Sequence, residues 1–304
     1  PAPRLQPDLA MKRAILGLSL LLTALLGSEP VKGGGLVDTA EAESDASSWE
    51  AFPGRLLDAP YLADPLQPRF GATVVSVPDL SVSDTGDRRF GLHLGGRFGL
   101  VEHRRPERPE GAWQLSIEGG FYGQFDMDNN QDNVGWDGIY GLYVGKQLGR
   151  GMTLKLGAKH VSSHIGDELQ ERTSRQRIEY TREEAIIGLS RRWPAGWRGY
   201  VEAAWGYVLR TPELQDPGRL QAGLERRSAE PVFGRYGWYA AINLTSFEES
   251  DWSLDTTAHV GLAISSGGVR EWRFGLAYHD GRVPLGEFFQ DRERYVVLGF
   301  WLDP

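Results

Sequence analysis

From residue 69 onward, apolar and polar side chains alternate with a period of two, the signature of strands with one face in each environment. In AWQLSIEGGFYGQFD, residues 112–126, Trp113, Leu115, Ile117, Phe121 and Phe125 share one face, against Gln114, Ser116, Glu118, Gln124 and Asp126. WRGYVEAAWGYVL and WSLDTTAHVGLAI repeat the pattern, with Trp197, Val201, Trp205 and Tyr207 in the first and Trp252, Leu254, Val260 and Leu262 in the second. The alternation predicts strands over 69–78, 88–101, 112–126, 134–148, 152–164, 178–192, 197–210, 219–227, 234–246, 252–265, 269–279 and 294–302. That makes about twelve, an even number, as bacterial single-chain barrels require.

Alternation alone also describes a soluble periplasmic sandwich with its apolar faces inward. Three features favour a barrel with its apolar face outward. Tryptophan and tyrosine sit near strand ends, as in interfacial girdles, and glycine recurs on the polar faces. The strands are also longer than the five or six residues usual in globular sheets. The expected fold is therefore all-β, an antiparallel transmembrane β-barrel of about twelve strands. With both termini periplasmic, the even-to-odd turns GRG, PAG and SSGG are short, and DNNQDN, 165–177, TPELQDPG and DGRVPLGEFFQDRER lie outside. The charged link EHRRPERPEG is an exception, long yet periplasmic.

The N-terminus agrees with export. Met11-Lys12-Arg13 precedes AILGLSLLLTALL, too short for a comfortable membrane helix but suited to a secretory signal. The expected organisation is an upstream extension over 1–10, a signal peptide over 11–32, a flexible Gly/Ala/Glu/Asp/Ser linker over 33–50 and an outer-membrane barrel over 51–304. The 304 residues contain no cysteine, which excludes disulfide scaffolds, thiolate catalysis and Cys-ligated zinc. A net charge of -8 argues against nucleic acid as a partner, leaving membrane lipid.

The densest polar stretch is KHVSSHIGDE, residues 159–168. Strand parity sends Leu154, Leu156 and Ala158 outward, Thr153, Lys155 and Lys159 into the lumen, and His160, Ser162 and His164 to the lipid side near the outer rim. Polar groups facing hydrocarbon are costly without a task or a partner. Histidine and serine at i and i+2 lie about 6–7 Å apart along a strand, a spacing that lets imidazole activate the hydroxyl. The same parity turns Glu183, at similar height on the next strand, outward to orient the ring; Asp167 or Glu168 are substitutes. Arg182 and Glu184 face the lumen, with Glu118, Arg198, Glu202, His259, Glu271 and Arg273 forming a mixed-charge interior.

The outward H-x-S near the rim resembles outer-membrane phospholipase A and the lipid A deacylases. That resemblance implies hydrolysis of a lipid acyl ester, with His160 as base, Ser162 as nucleophile and Glu183 or Glu168 as the orienting group. Ser163-His164 replaces the amide-and-small pair that follows the family's serine, so no oxyanion or calcium assignment is carried over. Over most of its length, through AFPGRLLDAPYLADPLQPRF, HVSSHIGDE and YTREEAIIGLS, the chain resembles an uncharacterised bacterial outer-membrane or secreted family, a domain of unknown function. The competing reading is a non-enzymatic barrel, a narrow channel or a structural or surface-binding protein, in which His, Ser and Glu merely end strands at the headgroups. A zinc site at His160 and His164 requires a helix there, and the aspartates of 126–137 lack the full calcium-loop spacing. No cofactor follows from the sequence, and the oligomeric state and lumen aperture stay open.

Overall fold

The computed structural model describes residues 48–79, 82, 85–105, 108–228, 234–265 and 271–303. The expected upstream extension, the signal peptide and the linker as far as residue 47 lie outside the described residues. Strand β1 spans Ser48–Ala51, followed by β2 (Phe70–Asp79), β3 (Arg88–Arg105), β4 (Arg108–Asp126), β5 (Asp132–Gly149) and β6 (Met152–Ile165). A short helix, α1 (Asp167–Thr173), precedes β7 (Thr181–Trp193), β8 (Trp197–Leu209), β9 (Gly218–Arg227) and β10 (Tyr236–Phe247). Strands β11 (Leu254–Ser265), β12 (Glu271–Arg282) and β13 (Arg292–Asp303) complete the chain.

From β2 onward each strand pairs antiparallel with its sequence neighbour, and β13 returns to β2 with Leu302 opposite Phe70. The result is a closed twelve-stranded antiparallel barrel with β1 as an outlying thirteenth strand. Closure satisfies every ladder without an edge, the condition for strands in hydrocarbon. Side chains alternate strictly: on β13 Val296, Leu298 and Phe300 are exposed, whereas Glu293, Tyr295 and Trp301 are buried. Phe98, Ile117, Leu142, Ile187, Val260 and Leu276 extend the same apolar exterior around the cylinder.

The wall begins at Phe70, in line with the first strand expected over 69–78, and the expected barrel span from 51 also takes in residues that are not wall. Residues 53–69 have no period of two because they form no strand; they thread the lumen. Asp58 lies 3.6 Å from Lys155, 3.2 Å from Arg198 and 3.3 Å from Arg97. Tyr61 donates to Glu202 at 3.0 Å and stacks on Tyr200, with centroids 3.7 Å apart. The Leu62 amide donates to Glu225 at 2.7 Å, and Arg69 ties the segment back on itself through the carbonyls of Tyr61, Leu62 and Asp64. The mixed lumen charges expected from parity are thus half of a zipper whose other half is this segment. Around it the wall pairs with itself: Arg219 bridges Glu184 and Glu202 at 2.9 and 2.8 Å, and Arg182 meets Glu184 at 2.6 Å. Buried charges persist only when paired in this way.

The end bearing the long connections is closed too. Val283, Leu285 and Phe288 fold inward and pack with Val134, Ile165 and Leu169, the last from α1. Glu287 holds this cap by accepting from the Ile178 and Tyr180 amides at 2.7 and 3.0 Å. Between cap and plug, near Asp64, Lys159 and Pro284, the volume open to water centres is about 40 Å³. That accommodates a few waters. At the opposite end EHRRPERPEG is not the long link expected. β3 runs on to Arg105 and β4 starts at Arg108, and β1 pairs with β3 from Val101 to Arg104, making a three-stranded extension below the barrel.

Candidate active site on the outer face

Four adjacent strands, β5 to β8, build the site on the apolar exterior. Alternation along β6 leaves His160, Ser162 and His164 half-buried and outward, while Val161, Ser163 and Ile165 are buried inside. The two serines therefore part company: Ser163 accepts from the Glu287 amide at 2.8 Å within the lumen, and only Ser162 lies on the apolar exterior. Antiparallel register sets His160 directly opposite Glu183 of β7. Their side chains meet at 2.7 Å between Nδ1 and Oε1, with relative exposures of 14% and 26%. A carboxylate only accepts, so Nδ1 carries the proton and Nε2 is the nitrogen left for a second partner.

Two tyrosines steady the pair. The Tyr140 ring, opposite His160 on β5, stacks on the imidazole with centroids 4.3 Å apart and an interplanar angle of 15°. Tyr207 of β8 donates its hydroxyl to the other Glu183 oxygen at 3.4 Å. The imidazole plane and the carboxylate are each fixed from outside the pair, an arrangement that holds a base in one tautomer and one orientation. Parity placed Tyr207 outward in the sequence but gave no reason to join it to the site. That required the cross-strand register, in which Glu183 pairs with Val208 and Glu184 with Gly206, so that Tyr207 itself is the extra residue of β8.

Ser162 sits between Gly138 of β5 and Thr181 of β7. Among the described residues its hydroxyl has no hydrogen-bond partner. Gly138 leaves a notch over it, because a Cβ there would lie 3.3 Å from the Ser162 Oγ. On either side of the notch, Tyr140 covers His160 and Trp136 covers His164, the latter with centroids 4.2 Å apart. The His164 Nδ1 accepts from Arg177 Nη2 at 2.8 Å, which makes this imidazole the neutral Nε2–H tautomer. Neither Arg177 nor Trp136 was singled out by the sequence pattern.

Glu168, the alternative orienting group, is not brought to His160. The strand continues to Ile165, Gly166 turns the chain, and Glu168 stands exposed in the first turn of α1 beside Asp167. The segment 160–165 is a strand, so the helical condition for joining His160 and His164 on one metal is not met. Among the described residues no group of three or more His, Asp or Glu could hold a metal ion. The aspartates after β4 serve the turn itself: Asp126 accepts from the Gly86 and Asp128 amides, and Asp128 pairs with Arg88.

Known structures resemble the barrel as a whole. Outer membrane phospholipase A from Escherichia coli aligns at 13% identity with a TM-score of 0.51, over 79% of this chain and 94% of that one. The Salmonella typhi outer membrane phospholipase, a dimer with bound calcium, aligns at 13% identity and a TM-score of 0.50, over 80% and 93%. An anion-selective porin from Comamonas acidovorans aligns at 12% identity and a TM-score of 0.36, over 84% and 99%. At these identities the phospholipase likeness shows the fold, that of an outer-membrane β-barrel. Comparison with curated proteins finds no match. A family model described as "Protein of unknown function (DUF1207)" matches residues 38–302, nearly all of the barrel and its plug, and the chain belongs to that family.

Proposed function

We propose that this barrel resides in the bacterial outer membrane and hydrolyses lipid acyl esters at the outer leaflet, with Ser162 as nucleophile, His160 as base and Glu183 as the orienting carboxylate. The observation that carries this reading is the 2.7 Å contact between His160 and Glu183 on the outer face, two residues from an outward hydroxyl that has no hydrogen-bond partner among the described residues. A polar pair braced by two tyrosines is an expensive feature on an apolar exterior unless it works there.

In the proposed cycle a lipid ester enters the Gly138 notch laterally from the membrane. His160 Nε2 takes the Ser162 proton as Oγ attacks the ester carbonyl, and Glu183 stabilises the imidazolium through Nδ1–H. The ring then protonates the departing alkoxide, leaving an acyl-serine. Water, deprotonated by the same nitrogen, attacks that ester, releases the fatty acid and restores the hydroxyl. The hydrogen bond from Ser162 to the ring forms in this scheme only when substrate displaces the lipid around them.

The channel alternative is disfavoured by residues 53–69, which fill the lumen with paired charges. The test is release of fatty acid from phospholipid–detergent mixed micelles by the purified protein and its Ser162→Ala variant. Loss of release in a variant that keeps the folded barrel's electrophoretic mobility supports hydrolysis. Unchanged release, or none from either protein, sinks it.

A further inference from the structure

Arg177 is exposed at the outer rim and has no carboxylate partner among the described residues. Elsewhere around this rim the arginines are matched with acids: Arg175 with Asp291, Arg172 with Asp126 and Asp132, Arg210 with Glu179. Arg177 alone in this group is held by a neutral imidazole, His164, through one nitrogen. That contact fixes the position of the guanidinium without spending its charge. Trp136 fixes the imidazole in turn by stacking on it. The assembly stands one step along the strand from Ser162, since His164 is the next outward residue of β6. A cation is thus mounted, with free N–H donors, beside the hydroxyl and on its rim side.

Phosphodiester groups occupy that height in a bilayer, and a planar guanidinium is well matched to two phosphate oxygens. The ester carbonyls of the same lipid lie just below the phosphate, which is where the Gly138 notch and Ser162 are found relative to Arg177. We infer that Arg177, positioned by His164, binds the phosphate of a glycerophospholipid and so aligns its acyl ester with Ser162. This rests on the hydrolase reading and narrows it to phosphate-bearing acyl lipids.

The experiment compares phosphatidylcholine with diacylglycerol of the same chains, both in neutral mixed micelles. The two share their acyl esters and differ in the phosphate. Wild type is expected to show the lower KM for phosphatidylcholine. In Arg177→Gln that KM rises by about tenfold or more, the cost of one charge-assisted contact. The kcat on both lipids and the KM for diacylglycerol stay within twofold, and Arg177→Lys recovers part of the loss. A fall in kcat on both lipids would instead make Arg177 part of the reaction, and an unchanged KM would make it a structural prop; either overturns the inference. Lipid retention by native mass spectrometry, in the Ser162→Ala background, separates the two ideas. Arg177-dependent retention of phosphatidylcholine, together with no fatty-acid release by the wild-type protein, refutes the hydrolase and keeps phosphate recognition. Equal retention with and without Arg177 refutes phosphate recognition even if hydrolysis is found.

Discussion

Replacing Asp58 with asparagine keeps the shape of the plug's central side chain and removes the charge that three wall cations share. The cost follows from what each cation retains. Lys155 still has Glu202 at 2.6 Å, and Arg198 still has Glu225 at 3.3 Å. Arg97 loses its one described carboxylate and is left with the Ser116 hydroxyl at 3.2 Å and the Tyr143 ring beneath it. Removing one partner from a buried ion pair costs about 3–5 kcal/mol, because the other charge stays desolvated. With two of three cations still paired, the low end applies, ~3 kcal/mol, or roughly a hundredfold in the equilibrium for plug release. Hydrogen exchange of the folded protein in detergent reads this directly. Amides of residues 53–69 should exchange about a hundredfold faster in Asp58→Asn, while amides of β5 to β8 keep their protection. Asp58→Asn with Arg97→Gln should recover part of the loss, since the orphaned charge is gone too. Plug amides that exchange at the wild-type rate in the single variant would refute the zipper as what holds the segment.

Acid should release the plug over a defined window. Burial pushes the Asp58 carboxyl up, but Lys155, Arg198 and Arg97 together outweigh it and hold the group below the usual carboxylate range. Its contribution is therefore complete above the unfolded value of about 3.9 and is lost as pH falls toward the lower folded value. Pepsin cleavage within 53–69 should be negligible at pH 5 and grow only below about pH 4; cleavage already rising at pH 6 contradicts this. At the site, Glu183→Ala should lower kcat for fatty-acid release by roughly 10⁴ with KM little changed, as expected when the base loses its orienting acid. A drop of less than threefold would remove Glu183 from the reaction. Gly138→Val should abolish release by filling the notch over Ser162 while the barrel keeps its folded mobility, and retained activity would place the ester's approach elsewhere.

The wall and the outward placement of His160, Ser162 and Glu183 were legible because both follow from a period of two. Once Leu154 and Leu156 are placed on the outward face, His160 and Ser162 must share their side, and counting His160 from the tight turn at 149–151 and Glu183 from Trp193 brings both to the same height. The register His160 opposite Glu183 agrees with that count, because the β6–β7 ladder runs from Met152–Arg191 to Ser162–Thr181 without a slip. Glu168 is not carried along the strand face to His160 because the strand ends before Gly166 and a new element begins. The plug was hidden for the opposite reason. PGRLLDAPYLADPLQPRF has no periodicity, and its partners lie far away in sequence: Asp58 to Arg198, Leu62 to Glu225, Gln67 to Glu118. Parity showed that the lumen held charges in need of partners, but it does not say that one chain segment supplies them. The β3–β4 extension was masked by Pro106 and Pro109, which interrupt the apolar–polar alternation of the sequence although β4 already starts at Arg108.

The central claim is that Ser162 is an activated nucleophile facing lipid, and an electrophile that reports only on such a group tests it without assuming a substrate. A long-chain alkyl fluorophosphonate in detergent micelles loses fluoride as an attacking oxygen bonds to its phosphorus. Mass spectrometry after digestion should find the phosphonyl adduct on Ser162 in the wild-type protein, with labelling slowed by orders of magnitude in His160→Ala. An unlabelled Ser162, or labelling that proceeds equally well without His160, would contradict the account.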